Sequence, residues 1–311
     1  MTSSPGAGPV TRIALASCAD VPDLDDEGQL LVAALRQRGA ETAAAVWDGP
    51  VAWENFDLVV VRGTWDYAER ITEFLTWAEH VASVSRLLNP APVLRWNTDK
   101  RYLAHFEAAG VPIVPTQFLE PGDGPGHRFE GVEHVVKPVV SAGSRGTLRL
   151  GPHEVGRSRA HAATLLDQDR PVMVQPYLHE VDEHGETALL YLDGSFSHAM
   201  RKGALLTPGM GLVTGLWAEE DMSRREPSAA ERALADAVLA AVPGGLGDEL
   251  LYARVDLLPS PEGPRLLELE LAEPSLFLDH HPPAAGALAN AVLRRAGRSG
   301  PDRPAAQPAN D

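Results

Sequence analysis

The stretch LYARVDLLPSPEGPRLLELELAEPSLFL, residues 251–278, combines apolar runs with closely spaced acidic residues. Two apolar runs flank the proline-rich segment Pro259–Pro264, which predicts a β-hairpin that turns there. Glu268 and Glu270 are two positions apart on the second strand, so their side chains point to one face while the leucines around them point to the other. The hairpin therefore presents two carboxylates on one face of an amphipathic sheet.

The acidic face of this hairpin favours a metal site. If the two strands pair across the turn, Asp256 joins Glu268 and Glu270, and three close like charges are unfavourable unless cations neutralise them. Mg²⁺ suits such a site because it takes hard oxygen ligands, usually one or two carboxylates completed by substrate phosphates. The alternative is a solvated strand face on which Arg254 and Arg265 pair with the carboxylates.

A glycine-spaced loop lies upstream, in VVKPVVSAGSRGT, residues 135–147. Lys137 stands in a β-branched run that predicts a buried strand, and the small residues after it leave room for a ligand. Glycine tolerates positive φ, and successive N–H groups in turns form nests for anions, so a triphosphate fits such a loop. The alternative is a hairpin turn with a surface lysine. The candidate binding residues of the loop are Ser141, Gly143, Ser144 and Gly146.

A helix is predicted from Asp99 to Ala109, within NTDKRYLAHFEAAGVPIVPT, with Asn97 or Thr98 as its N-cap. This prediction places Lys100 in the first turn, where the helix already carries positive partial charge. A bound anion would relieve the conflict. The alternative is a solvated lysine.

Two further segments supply candidates. The run 151–178 predicts a polar helix from Arg159 to Asp167 and then a strand that ends at Gln175-Pro176-Tyr177, where backbone groups and an aromatic edge can meet a flat ring. The run 180–204 predicts a hairpin around Asp193-Gly194 whose second strand carries Arg201 and Lys202.

The front of the chain alternates strand-like and helix-like segments, which predicts a parallel sheet. Ligands in such sheets sit beyond the carboxyl ends of the strands. There Arg62 can hold a substrate carboxylate, and Asp66 or Tyr67 can hold an amine or a hydroxyl; the alternative is that they cap and brace the next helix. The predicted strands are 12–17, 41–47 and 56–63, and the predicted helices are 27–38 and 68–84.

Composition narrows the function classes. The 311 residues carry a formal net charge of −16, so nucleic acid and anionic membranes are poor partners and small polar ligands are expected. Cys18 is the single cysteine, which excludes an intrachain disulfide and a cysteine zinc site. No apolar stretch reaches membrane-span length and no signal pattern precedes Arg12, which indicates a cytoplasmic protein. P-loop and protein-kinase signatures are absent from the sequence.

The order of these features resembles the ATP-grasp superfamily, from about residue 97 to residue 280. The resemblance implies an α/β protein in which an amino-terminal parallel α/β substrate domain, 1–96, precedes two α+β subdomains that clasp the nucleotide. These are a central lid with the glycine-rich flap, 97–178, and a carboxy-terminal subdomain with the metal site, 179–296. The Ala/Pro/Gly-rich tail, 297–311, is predicted to be disordered.

The resemblance also implies roles for individual residues. The cofactors are ATP and Mg²⁺, with Mn²⁺ as an alternative ion. By this resemblance, the phosphates would contact Lys100, Lys137 and the loop, and the adenine hinge would be lined by Gln175 and Tyr177. The ribose or purine would contact Glu180 or Glu186. The metal would be held by Asp256, Glu268 and Glu270, and the oxyanion would be stabilised by Arg254 or Arg201. Family members usually carry Glu-x-Asn at the last metal position, and Glu268-Leu269-Glu270 departs from that, so metal number and preference stay open.

Within the superfamily, VVVRGTWDY, LRWNTDKRYL, GVPIVPT and LELELAEPSLFL are most similar to the group that contains the O-ureido-serine cyclo-ligase of cycloserine biosynthesis. That resemblance implies an ATP-dependent carbon–nitrogen ligase: phosphorylation activates a carboxylate or ureido carbonyl of a small amino-acid-like substrate, and an amine then attacks, intramolecularly in the cyclo-ligase. The alternatives are an intermolecular carboxylate–amine ligase and a non-catalytic nucleotide-binding module. A homodimer is the candidate assembly.

Overall fold

The computed structural model describes residues 10–207, 209, 211–212 and 221–297. Apart from Gly297, the predicted disordered tail lies outside these residues. Within them, no helix combines the length and the apolarity needed to cross a bilayer. The strands form three sheets, one parallel and two antiparallel.

The first sheet is parallel throughout, as predicted, with the order β2-β1-β3-β4. Its central strand β3, LVVVRG, is buried along its whole length, which fits a β-branched run covered on both faces. The second helix starts at Ile71, not at residue 68, because residues 67–69 form a 3₁₀ turn. The elements are β1 Arg12–Ser17, α1 Asp26–Arg36, β2 Glu41–Val46, β3 Leu58–Gly63, α2 Ile71–Val84 and β4 Arg86–Leu88.

Two short helices connect this sheet to the next, α3 Ala91–Asn97 and α4 Tyr102–Ala108. The predicted helix from Asp99 is therefore wrong at its start, and Lys100 precedes α4 instead of lying in its first turn. Asn97 is not an N-cap, because its buried amide is committed to the main chain of a distant strand, accepting from Leu271 N and donating to Leu269 O, each at 2.7 Å.

The second sheet is antiparallel, with the order β5-β8-β6-β7. The covering helix starts at Val155, four residues before the predicted start, because Ser158 and Ala162 pack inward together with the later leucines. The strand that holds Lys137 and the strand that ends at Gln175-Pro176 are neighbours, as the register Val135 to Gln175 shows. The elements are β5 Gln117–Leu119, β6 His134–Pro138, β7 Leu148–Leu150, α5 Val155–Leu166 and β8 Val172–Pro176.

The third sheet is also antiparallel, with the order β11-β10-β9-β12-β13. Both predicted hairpins are confirmed: Asp193-Gly194 turns between β9 and β10 with positive φ at both residues, and Asp256 lies opposite Glu268. Residue 180 is not on the first hairpin, because a short helix precedes β9. The elements are α6 Glu180–His184, β9 Glu186–Leu192, β10 Ser195–Lys202, β11 Met222–Arg224, α7 Ala229–Ala240, β12 Tyr252–Leu258, β13 Arg265–Glu270 and α8 Pro283–Ala296.

The first and third sheets are joined by buried polar contacts and by helix packing. Asn89, which follows β4 and is fully buried, donates to Tyr252 O at 3.0 Å and Leu271 O at 2.7 Å and accepts from Leu251 N at 2.7 Å. The last helix α8 packs with α1 in one apolar cluster. These contacts fix the acidic hairpin against the carboxyl ends of the parallel strands.

Candidate active site

A cavity of about 710 Å³ opens where the three sheets meet. One wall comes from β6, its following loop and β8. The opposite wall comes from β12, β13 and the segment that follows β13, and the amino-terminal end of α1 and the loop after β3 close one side. The predicted residues that line it are Tyr67, Lys100, Lys137, Ser141, Gly143, Ser144, Gln175, Tyr177, Glu186, Arg254, Asp256, Glu268 and Glu270.

The chain contains only three lysines, Lys100, Lys137 and Lys202, and all three line this cavity. Every other basic residue except histidine is an arginine. An ammonium is a compact point charge, whereas a guanidinium is a planar fork, so the two cations serve different sites. The restriction of lysine to this one cavity indicates that the cavity needs point charges.

Two of the lysines are paired with carboxylates. Lys100 is 5% exposed, and its Nζ lies 2.7 Å from Ser141 O and 3.0 Å from Glu268 Oε1. Lys202 Nζ lies 2.7 Å from Glu186 Oε1 and 3.5 Å from Asp256 Oδ2. Lys100 thus connects the loop after β6 with the acidic strand β13.

The side chain of Lys137 has no ion pair or hydrogen bond among the described residues. Burial lowers the pKa of its ammonium to about 8, against the attraction of Glu268, and the positive charges of Lys100 and Lys202 add to the decrease. An unpaired cation beside two others is costly unless an anion binds there. The position of Lys137 therefore marks an anion site.

The loop after Lys137 has the backbone conformation of an anion nest. Gly143, Ser144 and Gly146 all have positive φ, between 60° and 72°. Gly146 does not line the cavity; a Cβ there would lie 3.2 Å from the Pro138 ring, so glycine is needed for packing. Arg145 donates to Trp65 O at 2.6 Å, and this bond holds the loop against the first sheet.

The acidic wall is neutralised by the protein itself. Arg254 lies between two carboxylates: its Nη2 is 2.8 Å from Asp256 Oδ2 and also contacts Glu270. Burial alone would raise the pKa of Asp256, but Arg254 and Lys202 lower it. Burial raises the pKa of Glu270, in spite of Arg254 and with the help of the neighbouring Glu268 charge.

A preformed three-carboxylate metal cluster is not present in the described part of the chain, where no group of three or more His, Cys, Asp or Glu side chains is suitably arranged. Arg254 lies between Asp256 and Glu270 and contacts both carboxylates. The assignment of Asp256, Glu268 and Glu270 to a metal ion stays a prediction. Glu268 and Glu270 still bring hard oxygen donors to the cavity, and two carboxylates completed by phosphate oxygens are enough for Mg²⁺. The donor set fits an ion that arrives with a phosphate ligand.

The far end of the cavity is largely apolar. Val114, Val135, Leu178 and Leu258 line it beside the strand end at Gln175 and Tyr177. The Tyr177 N–H donates to Glu133 O at 2.9 Å, so this backbone donor is already used. A flat, partly apolar ring suits this end.

Besides Gly146, four predicted residues are not brought to the cavity, because the protein engages or displaces them. Arg62 is buried in an ion pair with Glu27 and donates to Pro274 O at 3.1 Å, and Asp66 accepts from Trp47 Nε1 at 2.8 Å. Arg201 donates to His184 O at 3.1 Å, while its neighbour Lys202 lines the cavity instead. Glu180 lies on α6, outside the lining residues.

The sequence predicted no role for two residues that line the cavity, Lys202 and Glu273. Lys202 could have been found from the scarcity of lysine in the chain. Glu273 is 8% exposed and lines the cavity, and burial raises the pKa of its carboxyl to about 8, with Glu270 adding to the increase. No motif marks Glu273, since a glutamate three residues beyond a strand is an ordinary loop residue.

A family model, a known protein and a solved structure that resemble this chain all concern the same enzyme. Residues 13–89 match the family model of the D-cycloserine synthetase DcsG, N-terminal domain. The cycloserine biosynthesis protein DcsG of Streptomyces lavendulae is 39% identical over 296 residues, which are 91% of this chain and 98% of that protein. The crystal structure of D-cycloserine synthetase DcsG has a TM-score of 0.83 at 37% identity, covering 92% of this chain and 99% of that one.

More distant structures share the fold alone. The D-alanine–D-alanine ligase from Bacillus anthracis complexed with ATP has a TM-score of 0.66 at 15% identity, over 93% of this chain and 97% of that one. With the sequence identity above and the sheet order described here, the chain belongs to the DcsG family of ATP-grasp enzymes and is an ATP-dependent ligase.

Proposed function

We propose that this ligase phosphorylates the carboxylate or ureido carbonyl of an O-ureido-serine-like substrate, and that a nitrogen of the same molecule closes the ring, as a step of cycloserine biosynthesis. The observation that carries the proposal is the unpaired Lys137 beside two other lysines and a positive-φ loop, in a cavity whose opposite wall is acidic. That arrangement suits a nucleoside triphosphate bound next to a small zwitterionic substrate.

The chemistry requires positioning more than a protein nucleophile. A carboxylate oxygen attacks the γ-phosphorus and ADP leaves; the nitrogen then attacks the acyl carbon, and phosphate and a proton leave. Lys100, Lys137 and Lys202 are the residues that would hold the phosphates, and the loop N–H groups would add donors. Arg254 donates through Nη1 to Ser275 O at 3.3 Å and keeps a second Nη1 hydrogen for a developing oxyanion.

The divalent ion supplies charge neutralisation on the transferred phosphoryl group when it is bound. Glu268 and Glu270 would hold it, and Mn²⁺ satisfies the same oxygen donors. The apolar end near Gln175 and Tyr177 would take the adenine, with Glu186 as the ribose contact. The division at residues 96 and 178, a cytoplasmic location and a homodimer stay predictions within this proposal.

An isotope experiment tests the activated group. The protein is incubated with ATP, Mg²⁺ and O-ureido-D-serine labelled with ¹⁸O in its carboxylate, and ADP, phosphate and product are analysed by mass spectrometry. Carboxylate activation transfers one ¹⁸O to phosphate, whereas ureido activation leaves the phosphate unlabelled.

The same samples decide between ring closure and its alternatives. A product that incorporates a second amino acid indicates an intermolecular ligase. Absence of substrate-dependent ADP release would refute the proposal and favour a binding module.

A further inference from the structure

The half of the cavity away from the lysines is built from three separate segments. They are the start of α1, the loop after β3 with Trp65 and Tyr67, and the segment that follows β13. Trp65 Nε1 donates to Glu273 O at 3.2 Å, and Arg62 Nη1 donates to Pro274 O at 3.1 Å. The main chain at Glu273 is thus held from two sides before any ligand binds.

The carboxylates that line the cavity and are not solvent-exposed fall into two groups. Most have a partner: Asp25 caps α1 by accepting from Gly28 N at 2.8 Å, and five others contact a cation. Glu273 differs, because it has no ion pair in the described part of the chain. The five ion pairs are Glu27 with Arg62, Glu186 with Lys202, Asp256 with Arg254, Glu268 with Lys100 and Glu270 with Arg254.

The surroundings of Glu273 suit an ammonium group. Burial raises the pKa of the Glu273 carboxyl, and hydrogen bonding with the Tyr67 hydroxyl lowers it, while the remaining lone pairs can accept from a cation in the cavity. Tyr67 and Trp65 also bring aromatic rings to the same part of the lining, and such surfaces attract cations. A neutral tyrosine hydroxyl is a poor ligand for Mg²⁺, so an organic cation fits better than a metal ion.

We propose that Glu273, supported by Tyr67, is the subsite for the protonated amine of the amino-acid substrate and selects substrates that carry one. The inference rests on the proposed function for the class of substrate. An amine held as ammonium has no free electron pair, so it cannot be the nucleophile. Ring closure then uses the ureido nitrogen, and the amine is retained in the product.

Binding measurements test the subsite. Isothermal titration in the presence of Mg²⁺ and a non-hydrolysable ATP analogue compares O-ureido-D-serine with its desamino analogue. We expect the wild type to prefer the amine-bearing ligand by about 10- to 100-fold, the range of a charge-assisted hydrogen bond. Glu273→Gln is expected to abolish this preference by weakening the amine-bearing ligand alone. Affinity for the ATP analogue is expected to stay unchanged.

Two further variants control the experiment. Tyr67→Phe keeps the ring and removes the hydroxyl, so it should reduce the preference without abolishing it. Glu226→Gln neutralises an exposed carboxylate outside the cavity lining and should leave the preference unchanged. Thermal melts check folding, and Glu273→Gln should be no less stable at pH 7, because burial already raises the pKa of the Glu273 carboxyl to about 8 and the amide replaces a largely neutral group.

The outcomes separate this inference from the proposed function. Equal binding of both ligands by the wild type, a preference that survives in Glu273→Gln, or no binding of either ligand overturns the subsite. If the wild type shows the preference but releases no ADP and forms no product, the proposed function fails while the ammonium subsite stands.

Discussion

Replacing Lys137 with methionine removes a cation that the free protein holds at a cost. Burial lowers the pKa of the Lys137 ammonium from its ordinary 10.5 to about 8. At about 1.4 kcal/mol for each pKa unit, this corresponds to an upper limit of about 3–4 kcal/mol of destabilisation. Lys137 is only half-buried and faces the cavity, so screening by water reduces the cost, and we expect a gain of about 1–2 kcal/mol for the variant at pH 7.

The destabilisation of the folded protein by the Lys137 ammonium depends on pH. The folded protein binds the Lys137 proton less tightly than the unfolded chain does, so the cost is fully present below pH 8 and disappears as the pH rises to 10.5. The stability difference between variant and wild type should therefore shrink over that range. Nucleotide affinity moves the opposite way and should fall about 10- to 100-fold, as expected for the loss of charge-assisted contacts to phosphate.

Chemical unfolding at pH 7 and pH 10 measures the first effect, and titration with an ATP analogue measures the second. Because the chain has three lysines, reductive ¹³C-methylation gives three side-chain NMR signals, and the one absent from Lys137→Met reports the titration directly. Arg157→Met, on the exposed face of α5, is the control and should change neither property. A variant that is less stable than the wild type at pH 7 and binds nucleotide equally well would refute the reasoning.

Three further substitutions test the scaffold. Asn97→Ala leaves two buried main-chain groups, one in β13 and one in the residue after it, without partners and should lower the free energy of unfolding by about 2–4 kcal/mol in urea titrations. Gly185→Ala places a Cβ 2.5 Å from a β10 carbonyl at positive φ, so its thermal midpoint should fall, whereas Gly156→Ala, with open space on α5, should not lower it. Glu268→Gln removes the partner of buried Lys100, so we expect a loss of about 2 kcal/mol and a several-fold rise in the Mg²⁺ concentration that gives half-maximal ADP release.

The features that the sequence predicted well are those set by local pattern. The period-2 alternation of β13, the Asp193-Gly194 turn and the buried β-branched strand β3 each depend on a few neighbouring residues, and the structure confirms all three. The glycine loop could also be predicted, because positive φ at Gly143 and Gly146 is a property that few residue types allow.

The features that the sequence predicted poorly depend on distant partners. Arg201 was predicted instead of Lys202 because the sequence does not show which face of β10 points into the cavity. Adjacent residues on a strand point to opposite faces, so only one of the two can line it. Arg62 was expected to bind substrate, but α1 supplies Glu27 as its partner 35 residues away along the chain. Such pairings follow from how the sheets meet, which no local pattern specifies.

Lys100, Lys202 and Arg254 pair with carboxylates on the acidic wall of the cavity. Strand register places Arg254 opposite Glu270, where the related pattern has asparagine, so the additional negative charge comes with its own cation. In the described lining, Asp25 caps α1, and two further buried or half-buried ionisable side chains have no ion pair: the ammonium of Lys137 and the carboxyl group of Glu273, whose pKa burial raises to about 8. An anion would pair with Lys137, and a cation would favour the ionised form of Glu273. ATP together with an amino acid supplies both, whereas a neutral or purely anionic substrate would leave Glu273 without a cation.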